Sequence, residues 1–289
     1  MKSILITGGS GFIGKNLIKS INKLNFEVFS IKGKQYTDLT EEKEVHKLPK
    51  FDIIIHLAAF NYIPSSFDTP INCYKNNINS TLNILEKTKN DKSSLIFFSS
   101  YIYGRPKYLP IDEKHPRDAL NPYTQSKIIC EDLCFSYHRD YNVPITIFRP
   151  FNIYGPFQKP IFLIPKILNS LENHEIDLGN SKSKRDFVYI SDVIEAIKLS
   201  LNINNLGLKI YNLGAGKSIS VKDVSETILS ASNSSATINF SNNFRKGDVD
   251  NTIADITKIK NELGWEPKVS FLEGIKKCLV AQKLENHEG

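Results

Sequence analysis

The chain has 289 residues, 40% of them hydrophobic and 24% charged, the profile of a globular protein long enough to bury a sizeable core. Its formal net charge is +6, but lysine and arginine are scattered without a long basic run, which argues against a nucleic-acid partner; the charge reads either as plain lysine-rich composition or as suited to a phosphorylated small molecule. The four cysteines (Cys73, Cys130, Cys134 and Cys278) form no Cys-x-x-Cys pair and join no histidine cluster, so they read as reduced core thiols and no metal site is expected.

The chain enters an apolar strand at once, over residues 3–7, without the apolar length or cleavage region of a signal peptide. No apolar run reaches membrane-spanning length, so a cytoplasmic protein without a membrane partner is expected. Residues 11–24 predict a helix, with Phe12, Ile13, Leu17, Ile18 and Ile21 on one face. A second strand follows at 27–31 and a third at 52–57, the latter the nearly unbroken apolar run of a strand covered on both faces. Then come a helix over 77–90, a strand at 95–99, a long helix over 123–140 and a strand at 145–149. Strands alternating with helices define an α/β protein, a Rossmann-type doubly wound parallel sheet. After Tyr154, glycine and proline at Gly155, Pro156, Pro160 and Pro165 break the alternation, and 186–189 and 209–213 read as final strands returning to the sheet.

Two stretches carry chemistry. Thr7-Gly8-Gly9-Ser10-Gly11-Phe12-Ile13-Gly14 follows a strand and opens a helix. Glycines there permit a tight turn, close approach to a pyrophosphate at the helix N-terminus, and close helix–strand packing, which points to a bound dinucleotide. The second strand ends Ser30-Ile31-Lys32-Gly33-Lys34, without the acid that binds the ribose hydroxyls of NAD; Lys32 and Lys34 suit a 2′-phosphate, so NAD(P) is expected with NADP(H) preferred. In Tyr123-Thr124-Gln125-Ser126-Lys127, phenol and ammonium lie one turn apart on one helix face. A phenol is a poor base at neutral pH, and a nearby ammonium favours the phenolate. Ser99, ending its strand, supplies a hydroxyl to the same carbon–oxygen group.

These motifs, in this order, resemble the extended short-chain dehydrogenases/reductases of the NAD-dependent epimerase/dehydratase family. The likeness runs on through His56-Leu57-Ala58-Ala59, Asn77, Tyr103-Gly104, Arg149-Pro150-Phe151-Asn152-Ile153-Tyr154-Gly155-Pro156, Arg185-Asp186-Phe187-Val188, Asn212-Leu213-Gly214, Arg245-Lys246-Gly247-Asp248 and Leu263-Gly264-Trp265-Glu266-Pro267. It implies that Ser99, Tyr123 and Lys127 are catalytic, with Lys127 tuning Tyr123 and holding the nicotinamide ribose. It implies cofactor contacts from Gly8, Gly11, Phe12, Ile13, Gly14, Lys32, Asp38, Leu39, Leu57, Ala58, Ala59, Tyr123, Lys127, Phe151 and Asn77, the last bracing the strands around the cofactor. Substrate contacts would come from Ser99, Ser100, Tyr101, Asn152, Arg185 and Arg245, the two arginines clamping a diphosphate. The expected domains are a dinucleotide-binding one over 1–156 plus 186–215 and a smaller C-terminal α/β lobe, over 157–185 plus 216–289, for a nucleotide-diphosphate sugar. Relatives of this kind often pair through the helices near 77–90 and 123–140, which implies a homodimer.

Within the family, 4,6-dehydratases carry an Asp-Glu pair where this chain has Ser100-Tyr101, which disfavours water elimination. Residues 36–39, 56–64, 121–134 and 149–152 are similar to GDP-4-keto-6-deoxymannose reductases, which implies reduction of the C4 keto group of an NDP-4-keto-6-deoxyhexose. An NAD-dependent NDP-sugar 4-epimerase is the alternative, since the same Ser/Tyr/Lys set serves it. A non-catalytic NAD(P)-binding sensor is disfavoured, because such proteins often lose the Tyr/Lys pair retained here.

Overall fold

The computed structural model describes residues 1–21, 24–201, 207–241 and 249–288, the last four in backbone only. The chain forms two compact units. The first comprises Met1–Gly104, Glu113–Pro150 and Ala196–Asn212; the second comprises Arg105–Asp112, Phe151–Glu195 and Leu213–Gly289.

The first unit opens with β1 (Lys2–Thr7), α1 (Phe12–Ile21), β2 (Phe26–Ile31), α2 (Glu42–His46) and β3 (Ile53–His56). Two short helices, α3 (Ile63–Asp68) and α4 (Pro70–Tyr74), then run through a π-helical turn (Lys75–Asn79) into α5 (Ser80–Asp91). The predicted helix over 77–90 is thus present, but its first turn is widened. β4 (Ser94–Phe98), α6 (Pro122–Tyr141) and β5 (Ile145–Pro150) complete the run. α6 starts where Asn121 accepts from the Thr124 amide at 2.9 Å and Pro122 takes a first-turn position that needs no N–H donor. That cap sets Tyr123 in the first turn of the helix.

The second unit begins with β6 (Asn152–Tyr154), α7 (Leu163–Asn169), β7 (Glu175–Leu178) and β8 (Lys184–Tyr189). α8 (Ile190–Leu201) and β9 (Leu208–Leu213) lead back through the first unit. β10 (Ser218–Ser220), α9 (Val221–Ser232), β11 (Thr237–Phe240), α10 (Thr257–Leu263) and α11 (Phe271–Glu288) end the chain.

The first unit holds a six-stranded sheet in the order β2-β1-β3-β4-β5-β9. Ile4, Leu5 and Ile6 of β1 and Ile53–His56 of β3 are all buried, as expected of strands covered on both faces. β1 has β2 on one side and β3 on the other, so the strand order reverses at β1; ligands of such sheets bind beyond the strand C-termini at that reversal. Register carries the argument across the sheet. Thr7 pairs with Ile31 and His56, His56 with Phe97, and Phe98 with Phe148, so Gly8, Lys32, Leu57, Ser99 and Arg149 emerge along one edge.

The strand predicted at 209–213 joins this sheet as β9. The one predicted at 186–189 does not: it lies in β8, in a three-stranded sheet ordered β10-β8-β6 within the second unit. That unit also pairs β11 with β7 in parallel. Its core includes Trp265, whose Nε1 donates to the Asp192 carbonyl at 2.8 Å, and Tyr154, whose ring lies 5.3 Å from those of Tyr189 and Phe271.

Candidate active site

The glycine-rich turn after β1 is built by close packing. Gly8 has φ of +71°, and a Cβ there would lie 2.7 Å from the Ala58 nitrogen; one on Gly14 would lie 2.7 Å from Gly9 Cα. The turn therefore presses on the segment after β3 and on the start of α1, which only glycine allows. Thr7 Oγ1 fixes the contact, accepting from the Ala58 amide at 3.2 Å and bonding His56 Nδ1 at 2.8 Å. His56 Nε2 lies 3.3 Å from Thr81 Oγ1. Burial, with Lys127 adding to it, pushes the His56 imidazole down to about 3, so it stays neutral and serves as a brace.

Beside this turn lies a pocket of about 290 Å³ lined by Gly8, Ser10, Lys32, Lys34, Asp38, Leu39, Ala58, Ala59 and Phe60, among others. Of the predicted cofactor residues, Gly8, Lys32, Asp38, Leu39, Ala58 and Ala59 line it. Gly11, Phe12, Ile13 and Gly14 form the adjoining helix start, and Leu57 precedes Ala58. Ser10 Oγ donates to the Lys32 carbonyl at 2.5 Å, tying the turn to the end of β2. Lys34 reaches Asp38 at 3.4 Å. Against the upward push of burial, the Thr40 amide and hydroxyl and the Lys34 ammonium hold the Asp38 carboxyl below its ordinary value.

Asn77 does not line the pocket. It is 1% exposed; its Oδ1 accepts from the Phe60 amide at 2.7 Å, and its Nδ2 donates to the Phe60 carbonyl at 3.1 Å and to Ser126 Oγ at 2.8 Å. Ser126 Oγ donates onward to the Tyr123 carbonyl at 2.7 Å. Asn77 therefore links the segment after β3 to the first turn of α6. Its neighbours Asn76 and Ser80, which sequence reasoning passed over, line the pocket instead, as do Thr37, Thr40 and Phe60. The one available signal was the four-residue spacing of Asn76 and Ser80, which puts them on one helix face.

A wall of hydroxyls stands where β4 ends. Ser99 Oγ is buried with no hydrogen-bond partner among the described residues. Burial pushes the Tyr123 phenol up to about 12, while a hydrogen bond with Ser100 works the other way. Lys127, 3% exposed, donates to the Phe98 carbonyl at 2.8 Å and lies 4.7 Å from the centre of the Phe97 ring; burial lowers its pKa. Desolvation dominates and the ammonium is directed at a backbone carbonyl, so the phenol is protonated at neutral pH. Tyr101 Oη donates to the Gly104 carbonyl at 2.7 Å.

Ser99, Ser100, Tyr123 and Lys127 thus come together in the first unit. The second unit carries Phe151, buried beside Asn152, which is exposed on β6, and Arg185, half-buried on β8. Arg245 lies outside the described residues. All four cysteines are buried free thiols. Among the described residues, no group of three or more His, Cys, Asp and Glu is placed to hold a metal, and no helix is long and apolar enough to cross a membrane.

The pocket at the glycine turn and the Ser99/Tyr123/Lys127 set lie in the same unit, and comparison with known proteins identifies the family. A family model described as GDP-mannose 4,6 dehydratase matches residues 34–278. The chain belongs to the NAD-dependent epimerase/dehydratase family of extended short-chain dehydrogenases/reductases, and it is an NAD(P)-dependent enzyme of nucleotide-sugar chemistry. It is 31% identical to a putative UDP-glucose 4-epimerase of Methanocaldococcus jannaschii, over 98% of this chain and 99% of that protein. It is also 31% identical to the GDP-6-deoxy-D-talose 4-dehydrogenase of Aggregatibacter actinomycetemcomitans, over 97% and 98% respectively. The crystal structure of a UDP-glucose 4-epimerase from Thermotoga maritima with UDP-glucose superposes with a TM-score of 0.91 at 26% identity, covering 98% of this chain and 99% of that one. Solved chains of the same fold carry NAD or NADPH.

Proposed function

We propose that the protein reduces the C4 keto group of an NDP-4-keto-6-deoxyhexose, with NADPH preferred over NADH. The observation that carries this reading is a protonated Tyr123 together with a Ser99 hydroxyl that has no partner among the described residues, with Ser100-Tyr101 where 4,6-dehydratases carry an Asp-Glu pair. A protonated phenol is the form that donates to an oxygen gaining charge.

NADPH, when bound, supplies the hydride. The turn at Gly8 and the neighbouring residues Asp38, Leu39, Ala58 and Ala59 hold the dinucleotide, and the side chains of Lys32 and Lys34 take the 2′-phosphate. Asn152, Arg185 and Arg245 hold the nucleotide diphosphate, so the first unit binds the cofactor and the second the sugar. Tyr123 gives its proton to the C4 oxygen as the carbonyl is reduced. Ser99 Oγ donates a hydrogen bond to that oxygen, and the Lys127 ammonium, held by the Phe98 carbonyl, lowers the cost of the developing charge. The protein acts in the cytoplasm as a homodimer paired through α5 and α6, and light scattering that returns a monomer refutes the pairing.

NDP-sugar 4-epimerisation is the second reading, favoured by the likeness to the Methanocaldococcus protein. Net oxidation of reduced cofactor by 4-keto-6-deoxy sugar nucleotides separates the two, since an epimerase consumes none.

A further inference from the structure

A buried polar knot links the helix bearing Tyr123 and Lys127 to points where the chain passes between the two units. Arg149, on β5 and 2% exposed, donates from Nε and Nη2 to the two carboxylate oxygens of Glu131 on α6, at 3.0 and 2.6 Å. Its Nη1 donates to Tyr103 Oη at 3.1 Å and to the Glu113 carbonyl at 3.0 Å. Tyr103 Oη donates in turn to Asn212 Oδ1 at 2.5 Å, and the Glu113 carboxylate accepts from the Asn212 amide at 2.8 Å.

The positions of these residues are informative. The chain leaves the first unit after Gly104, returns at Glu113, leaves after Pro150 and leaves again after Asn212. Tyr103, Glu113, Arg149 and Asn212 each stand at or next to one of those crossings. Glu131 lies one helical turn beyond Lys127 and two beyond Tyr123 on α6. A two-bonded arginine–carboxylate pair specifies geometry as well as energy. A buried pair of this kind is weak evidence for stability, and its better-attested use is to fix one arrangement among several.

We propose that the knot is a positioning device for catalysis. It holds the Ser99–Tyr103 segment and the ends of β5 and β9 in fixed register with the helix that carries Tyr123 and Lys127, and so sets where the phenol stands relative to Ser99. The inference rests on the nucleotide-sugar reading above. No knot residue lines the dinucleotide pocket, so the effect falls on turnover and leaves cofactor affinity intact. Displacing reacting atoms by about 1 Å costs on the order of a hundredfold in rate, so a partial loosening costs on the order of tenfold.

The test uses the full chain and two variants. Tyr103→Phe deletes one hydroxyl with its bonds to Arg149 and Asn212. Glu113→Ala removes the acceptor of the Asn212 amide from a half-buried side chain, and covers the case in which Tyr103→Phe fails to fold. For each, kcat, substrate KM, NADPH Kd and Tm are compared with the unsubstituted protein. The expected result is a kcat about tenfold lower, with NADPH Kd within about twofold and KM moving less than kcat. An unchanged kcat with only a lower Tm, or an equal loss of NADPH affinity, overturns the proposal. Rates are ratios within whichever reaction the unsubstituted protein catalyses, 4-keto reduction or 4-epimerisation. A wrong choice between those reactions therefore shows in the unsubstituted protein, and a wrong assignment of the knot shows in the ratio.

Discussion

Replacing Gly8 with alanine tests the cofactor cradle directly. Gly8 has φ of +71°, and holding an L-residue in that left-handed region costs about 1–2 kcal/mol. The added Cβ would also stand 2.7 Å from the Ala58 nitrogen and 2.9 Å from its Cα, well inside the 3.4–4 Å of ordinary contact. Both obstacles are backbone, so no side chain can swing away, and the turn and the segment after β3 must separate. Together the two effects amount to roughly 2–3 kcal/mol of strain at the turn. If that strain is relieved by opening the pocket, NADPH Kd rises by roughly ten- to a hundredfold, at about 1.4 kcal/mol per decade. The part expressed as lost stability lowers Tm by about 2–4 °C per kcal/mol. Fluorescence titration with NADPH and a thermal melt read the two parts. A Gly8→Ala protein that binds NADPH within twofold of the original and melts at the same temperature refutes the reasoning.

Tyr123→Phe removes the proton donor and should lower kcat by about 10²–10⁴-fold, with NADPH titration showing little change in affinity; retained turnover would remove the phenol from the mechanism. For His56, the folded pKa is about 3 against 6.5 unfolded, so the unfolded state takes up the proton first. Its contribution is fully present above pH 6.5 and is lost as pH falls towards 3, with a slope of about 1.4 kcal/mol per pH unit. Asp186, raised to about 6 chiefly by burial, acts in the opposite sense as pH falls through 6. The informative quantity is therefore the gap in urea stability between the original protein and His56→Gln, which should narrow from pH 7.5 to 5.5; a constant gap counts against a neutral buried His56. The four thiols are buried, and burial raises the pKa of each, so a native Ellman titration should detect almost none and a denatured one all four. Rapid native reaction would contradict the burial.

The alternation of β1 to β5 with helices was legible because each strand is a short apolar run and each long helix keeps an apolar face. The helix over 123–140 was legible too, and it forms as α6, started by the Asn121 cap and a first-turn Pro122. The strand at 186–189 was recognised as a strand but assigned to the wrong sheet. An apolar run reports burial, and its partner is chosen by contacts far away in sequence. The π-helical turn at Lys75–Asn79 left no periodic signal in a stretch rich in asparagine. Asn76 and Ser80 were passed over for that reason, while Asn77 was singled out by the family resemblance as a brace. Spacing put Tyr123 and Lys127 one turn apart but could not weigh burial against charge, and burial is the larger influence on the phenol.

Net reduction is the central step of the proposed function, and its direct test is consumption of NADPH and NADH by the purified protein with GDP- and dTDP-linked 4-keto-6-deoxy sugars. Net reduction predicts oxidation of one reduced cofactor per sugar reduced, faster with NADPH than with NADH. No net oxidation with any of these sugars, together with NAD retained through purification and interconversion of C4 epimers, would contradict it.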